Sequence, residues 1–319
     1  MSWILGYIAE ILSEDTRNKL STITPERLHF VNNGRLYIAA GGIPQTCLSG
    51  RFPTETGNQS DSGWIVCGLG IRRVDDHCVF LSSVDWESIL SRSSPQLHAI
   101  DGHFVACRWD SESVEIYSDQ LGQRTLFVTR TKSGMCFSTR IDWIAQFCSI
   151  TSIDFREFGS KWLTFNQLTY GSDLRQIERI GPGGYGRLTT KTMSLKSAVW
   201  TPLVEKDVGP ETFLSTLSAF INPTVEEPTR LSLGLSGGLD SRLLLSILLH
   251  QRSNFEIHVF GDEGDPDVQV SNRIVHSEGL SSLFLHDPLP DADKCMLLLR
   301  DYAAQAGVCV PATQIMRLG

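Results

Sequence analysis

The sequence predicts an α+β first half followed by an α/β second half built on a parallel sheet. Up to about residue 150, strand signals come in a run and the helical patches stand apart from them, as in a layered α+β domain. From about residue 205, strand and helix signals alternate, as in a parallel sheet with covering helices. The 319 residues suffice for two cores. The expected division is 1–150 as the first domain, 151–204 as a linker segment, and 205–319 as the second domain.

Strands are expected at Ser2–Ile8, Leu28–Val31, Arg35–Ala40, Trp64–Ile71, His103–Trp109, Val114–Ser118, Thr125–Thr131 and Met135–Thr139. Each alternates in polarity or concentrates β-branched and aromatic residues. Asn32-Asn33-Gly34 separates two of them, and Asn-Gly is a strong hairpin signal. The polar, turn-rich stretch Thr54–Gly63 reads as a loop. Helical patches lie at Asp85–Ser91, Arg140–Phe147 and Phe155–Leu163.

In the second half, Pro210–Ile221 opens on proline and places Phe213, Leu214, Leu217, Phe220 and Ile221 on one side, an amphipathic helix. A strand over 231–235, a helix over 240–251 and strand Phe255–Phe260 follow. Helix Pro266–Glu278, stopped by Gly279, strand Leu283–His286 and helix Ala292–Gln305 complete a βαβαβα order. Ligands of such folds bind beyond the carboxyl ends of the strands. The segments at that edge are Ser236–Ser241 and Phe260–Asp265.

The run Leu231–Ser241 carries the strongest chemical signal. Leu231, Leu233 and Leu235 form a short apolar strand that empties into Ser236-Gly237-Gly238-Leu239-Asp240-Ser241, and an apolar helix follows. Two adjacent glycines allow a sharp turn, Gly237 through a positive φ, that aims several N–H groups at one spot. The helix N-terminus adds partial positive charge there. Ser236 and Ser241 can donate to phosphate oxygens, and Asp240 can hold a divalent cation that bridges them. The loop is not a Walker A motif, because no Gly-Lys-Ser/Thr follows the required spacer.

Composition narrows the function. A formal net charge of −8 disfavours nucleic acid and anionic membranes as partners. No apolar stretch approaches bilayer length, and the acid at Glu10 with no basic residue before it argues against a signal peptide. The 8 cysteines show no Cys-x-x-Cys spacing and the 8 histidines no metal-ligand cluster, so reduced thiols in a cytoplasmic protein are expected.

Ser236–Ser241 resembles the pyrophosphate loop of ATP pyrophosphatases. Further motifs precede it in order. His103–Asp110, then Asp119-Gln-Leu-Gly-Gln-Arg124-Thr-Leu-Phe127, resembles the pattern of class II glutamine amidotransferase domains, and Phe137–Ile144 resembles the strand-to-helix step after it. Ile180–Gly184 and Trp200–Pro202 resemble the lead into a synthetase domain. Together they are similar to the asparagine synthetase family over most of the chain. The resemblance implies an Ntn-type amidotransferase-like first domain and an adenine nucleotide α-hydrolase-like second domain. It implies attack of a carboxylate, aspartate or similar, on the α-phosphorus of ATP, then displacement of AMP by ammonia or an amine. ATP and Mg2+ are the implied cofactors. Leu235, Ser236, Gly237, Gly238, Leu239, Asp240 and Ser241 would form the cradle, with Asp240 the metal ligand; Leu235 and Val259-Phe260-Gly261 fall at the adenosine pocket. Asp267 matches an acidic family position, or is a carboxylate favoured by its helix N-terminus. Arg242 adds charge near the phosphates or lies on the helix rim.

The chain departs from the family in three places, one of them Arg242, where many relatives carry a small residue. Ser2 stands where the glutaminase nucleophile would be cysteine, Trp3 replaces a glycine, and no Asn-Gly-Glu oxyanion element is present, Asn33-Gly34-Arg35 coming too early. Loss of glutamine hydrolysis is therefore expected. β-Lactam synthetases and lasso-peptide cyclases share that loss and use an amine already on the substrate. Finally, no Gly-rich acidic segment for a second magnesium carboxylate occurs before Gly319. The expectation is either a piece of a longer protein or a truncated, noncatalytic ATP-binding remnant. An apolar sheet edge then calls for a second copy or a partner subunit.

Overall fold

The computed structural model describes residues 2–53, 59–74, 77–164, 171–197, 209–221, 231–261, 264–285 and 291–298. The chain divides into two compact units, one comprising Met1–Ile71, Leu81–Pro202 and Ala292–Gly319, the other Arg72–Phe80 and Leu203–Asp291.

In chain order the first stretch supplies β1 (Trp3–Ala9), α1 (Glu14–Ile23), β2 (Arg27–Asn32), β3 (Leu36–Gly41), β4 (Cys47–Pro53), β5 (Gln59–Val74), β6 (His77–Phe80) and α2 (Ser83–Leu90). It continues with β7 (Asp101–Trp109), β8 (Ser113–Ser118), β9 (Leu126–Arg130), β10 (Gly134–Ser138), α3 (Ile141–Cys148), α4 (Phe155–Thr164), β11 (Glu178–Ile180), β12 (Tyr185–Thr189) and β13 (Met193–Lys196). The second half holds α5 (Pro210–Ile221), β14 (Leu231–Gly234), α6 (Leu239–His250), β15 (Phe255–Phe260), α7 (Pro266–Ser277) and β16 (Ser282–Leu285). A further helical stretch runs over 292–298. The rest of the expected Ala292–Gln305 helix lies outside the described residues.

Unit 1 is a helix–sheet–sheet–helix sandwich. One sheet has the order β11-β9-β10-β1-β3-β2, the other β13-β12-β8-β7-β5-β4, and every pairing given within them is antiparallel. Alternation decides the layers, because successive side chains of a strand point to opposite faces. Ile4 and Ile8 of β1 meet Ile65, Cys67, Val105 and Cys107 of the other sheet in the central core. Leu5, Tyr7 and Ala9 point the other way, against Leu20, Ile141 and Ile144 of α1 and α3. Trp64, Val66, Phe104 and Ala106 likewise cover Trp86 and Leu90 of α2. Each such aliphatic or aromatic side chain contributes about 1.5–3 kcal/mol by leaving water.

The β2–β3 hairpin forms where expected, but not through glycine. Asn33 Oδ1 accepts from Arg35 N (3.0 Å) and Leu36 N (2.8 Å), so the asparagine side chain closes the turn. Helix α1 went unread because it is mostly polar; Ser13 caps it by accepting from Thr16 N at 3.2 Å. The stretch expected as a loop over 54–63 already pairs from Gln59 onward, as part of β5. Part of the expected linker also joins the sandwich: β11 extends one sheet and β12 and β13 the other.

In unit 2, β14, β15 and β16 form a three-stranded parallel sheet in that order. Leu233, Leu235, Ile257 and Val259 form one cluster with Leu245 and Leu248 of α6 and Val268 and Val275 of α7. Both helices thus cover the same face. A right-handed crossover repeated twice along one sheet direction requires that.

Candidate functional site

The loop after β14 lies at the carboxyl edge of the parallel sheet and is anchored at its base from two sides. Leu235 N donates to His258 O of β15 at 2.9 Å. The buried Ser271 Oγ of α7 donates to Leu235 O at 3.2 Å. Ser271 was missed from sequence, although a lone serine between Val268 and Val275 on an apolar helix stripe is a legible signal.

Beyond that base, the Ser236 and Ser241 hydroxyls lie 3.0 Å apart. Ser236 N donates to Ser241 Oγ (3.1 Å) and Gly238 N to Ser236 Oγ (3.3 Å). The hydroxyls expected to meet phosphate here hold the loop against its helix. Gly238 is the N-cap of α6 and, lacking a side chain, makes no capping bond. The first N–H groups of the helix are thereby left for an anion.

The glycine pair works differently from the expected positive-φ turn. Neither Gly237 nor Gly238 belongs to the positive-φ glycines, and Gly238 is extended at φ −72° and ψ 163°. Close approach is what demands glycine at 237. A Cβ there would lie 2.6 Å from Asp267 Oδ1 and 3.2 Å from Asp267 Cα. The fold therefore brings Asp267, in the first turn of α7, directly against the loop. Asp240 is exposed in the first turn of α6, and Leu239 beside it is 73% exposed. Arg242 Nε turns back to donate to Gly238 O at 3.2 Å, which sets its guanidinium beside the loop.

The residues expected at an adenosine pocket separate into two groups. The side chains of Leu235 and Val259 are buried in the core cluster under the helices. Phe260, in contrast, ends β15 with its ring exposed and edge-on to His258 at 5.0 Å. Gly261 follows at φ +130°, a conformation that favours glycine.

In unit 1, Ser2 is buried and hydrogen-bonded through both its hydroxyl and its carbonyl. Its hydroxyl donates to Ile43 O (3.2 Å) and is hydrogen-bonded to Thr46 Oγ1, while its carbonyl accepts from Arg124 Nη2. Trp3 next to it packs edge-on against Trp143 at 4.8 Å. Arg124 is delivered there by a tight loop around Asp119. The fully buried Asp119 carboxylate accepts from Leu121 N (3.1 Å), Gln123 N (3.0 Å) and Arg124 N (2.8 Å). The Asp119–Arg124 motif thus serves the order of this pocket. If the chain draws on ammonia, replacing Ser2 with alanine is expected to leave its turnover unchanged. Steady-state rates of the two proteins with ammonium salts check it, and a glutamine-dependent rate lost in the variant would contradict the assignment.

Below Ser2 sits a thiol pair. Cys47 and Cys67 are direct cross-strand partners on β4 and β5, with Sγ atoms 4.0 Å apart. Cys67 Sγ donates to Trp3 O at 3.3 Å. The Cys67 thiol pulls Cys47 down to about 6 against its burial, helped by His29 and Arg124, while the same contact and burial push Cys67 up. Contact with Cys47 in turn raises the His29 imidazole.

Among the described residues no group of three or more His, Cys, Asp or Glu side chains forms a metal cluster, and no helix is long and apolar enough to cross a membrane. No family model matches the sequence, and no curated protein matches it either. Among solved structures, it is similar to the glutamine phosphoribosylpyrophosphate amidotransferase of B. subtilis, described as complexed with ADP and GMP. The TM-score is 0.42 at 8% identity, with 90% of this chain and 91% of that chain covered. A structure described as the allosteric regulatory enzyme of purine biosynthesis gives a TM-score of 0.39 at 9% identity, covering 94% and 78%.

Proposed function

We propose that the chain is an ATP-dependent carbon–nitrogen ligase of the asparagine synthetase type that draws on free ammonia or a substrate amine. The supporting observation is a Ser-Gly-Gly-Leu-Asp-Ser loop between a parallel strand and a helix N-terminus, with Asp267 pressed against its second residue. A carboxylate oxygen attacks the α-phosphorus, the bond to the bridging oxygen breaks, and pyrophosphate leaves. The uncapped N–H groups at the start of α6 face the charge that grows on that leaving group. Magnesium held by Asp240 would neutralise the same oxygens. The exposed Phe260 ring offers a surface on which a purine can stack. An amine then attacks the activated carbonyl and AMP departs.

The engaged hydroxyl of Ser2 supports an amine source other than glutamine, because it already donates its proton to Ile43 O and lies in hydrogen-bond contact with Thr46 Oγ1. The test is pyrophosphate release from ATP and magnesium over a panel of carboxylates with ammonia. Asp240→Ala is expected to lower the rate about 100-fold or more, the several kcal/mol that charge stabilisation by a metal supplies. Nucleotide binding with no turnover in either protein would favour a noncatalytic ATP-binding role.

A further inference from the structure

We propose that Cys47 and Cys67 are a modification site, two thiols that a peroxide joins into a reversible disulfide beneath Ser2. Three observations place them for it. The register sets the two residues directly opposite each other on antiparallel strands. That arrangement holds Cα atoms about 4.5–5.5 Å apart, inside the roughly 4.4–6.8 Å that a disulfide spans. The sulfur atoms are already in contact at 4.0 Å, so closing the bond asks for side-chain rotation and no strand movement. Both lie in the central core, where sulfur packs as a small hydrophobe, yet Cys47 directly follows the short turn Pro44–Thr46, and residues 42–45 are exposed. A small oxidant therefore meets Cys47 first.

The surroundings supply the charge that the first step needs. His29 Nε2 lies 2.8 Å from Cys47 O and its Nδ1 2.8 Å from Ser49 Oγ, so the ring is fixed beside Cys47. Arg124, bound to Ser2 O, adds positive charge to the same pocket. A thiolate is the reactive form, and neighbouring cations favour it.

The chemistry balances with hydrogen peroxide as the oxidant. The Cys47 thiolate attacks one peroxide oxygen, the O–O bond breaks, and hydroxide leaves, giving a sulfenic acid on Cys47. The Cys67 sulfur then attacks the Cys47 sulfur, the S–O bond breaks, and water departs with the Cys67 proton. Two thiols lose two electrons and one peroxide becomes two waters. Cys67 also loses its hydrogen bond to Trp3 O, which links the event to the residue next to Ser2.

The test treats the full chain with graded hydrogen peroxide, blocks the remaining thiols with iodoacetamide, and maps cross-links by mass spectrometry of an unreduced digest. The expected result is a peptide joining Cys47 to Cys67 as the first cross-link formed, removed by dithiothreitol. In Cys67→Ser, a dimedone adduct should accumulate on Cys47, and in Cys47→Ser none should form on Cys67. Free thiols at 47 and 67 after Cys148 has been oxidised would overturn the proposal. So would conversion of Cys47 to its sulfonic acid with no cross-linked peptide at any dose. Both of those readings come from the unmutated chain.

Discussion

Valine at position 237 is expected to weaken ATP binding at least about tenfold, which corresponds to 1.4 kcal/mol. The reason is steric and local. The first added carbon would sit 2.6 Å from Asp267 Oδ1, 3.2 Å from Asp267 Cα and 3.3 Å from Val270 Cβ. The carboxylate alone could swing away, but the backbone of α7 cannot, because Val268 and Val275 are locked in the core. The loop must therefore move off α7, and the N–H groups at the start of α6 lose their aim. Alanine, with no second branch, should give a smaller loss. Isothermal titration with ATP and magnesium, on variants whose circular dichroism matches the parent, measures both. An unchanged affinity in a folded valine variant would remove the loop from the nucleotide site.

Alanine at Asp119 is expected to destabilise unit 1 by about 3 kcal/mol or more. One buried carboxylate there gathers three backbone N–H groups, and hydrogen bonds to a charged acceptor are among the stronger ones. Removing it leaves those donors facing a void, and frees the turn that carries Arg124 to Ser2 O. At roughly 2–4 °C per kcal/mol the melting temperature should fall by about 6–12 °C. Asparagine keeps one acceptor but turns an NH2 group toward a donor, so it should fall between parent and alanine. Differential scanning calorimetry decides the matter, and a shift within 1–2 °C, roughly the effect of a surface substitution, would refute it.

Much of the framework was legible from residue pattern alone. Strands such as β1, β7 and β8 concentrate enough apolar, β-branched and aromatic residues to be placed, and α5 was bounded by its proline and apolar stripe. What stayed hidden depends on contacts distant in sequence. Polar α1 is helical because Leu20 and Ile23 find a core, not because its own composition favours a helix. The strands after residue 150 are short, and pairing with β9 and β8 is what makes them strands. At the loop, the motif announced the position of Gly237 but not its reason. That reason is Asp267, which lies 30 positions further on and is visible only once α7 packs beside α6.

The place of β1 inside its sheet has a consequence for how the chain is made. Residues 3–9 are flanked on one side by β3 and on the other by β10, which begins at Gly134. A ribosome adding about 5–20 amino acids per second needs roughly 6–25 s to travel from the first of these partners' neighbour, Ala9, to the second. Throughout that interval the nascent polypeptide holds an apolar ribbon with a bare hydrogen-bonding edge. Newborn copies crowded on one message are thus most prone to stick together before translation reaches Ser138.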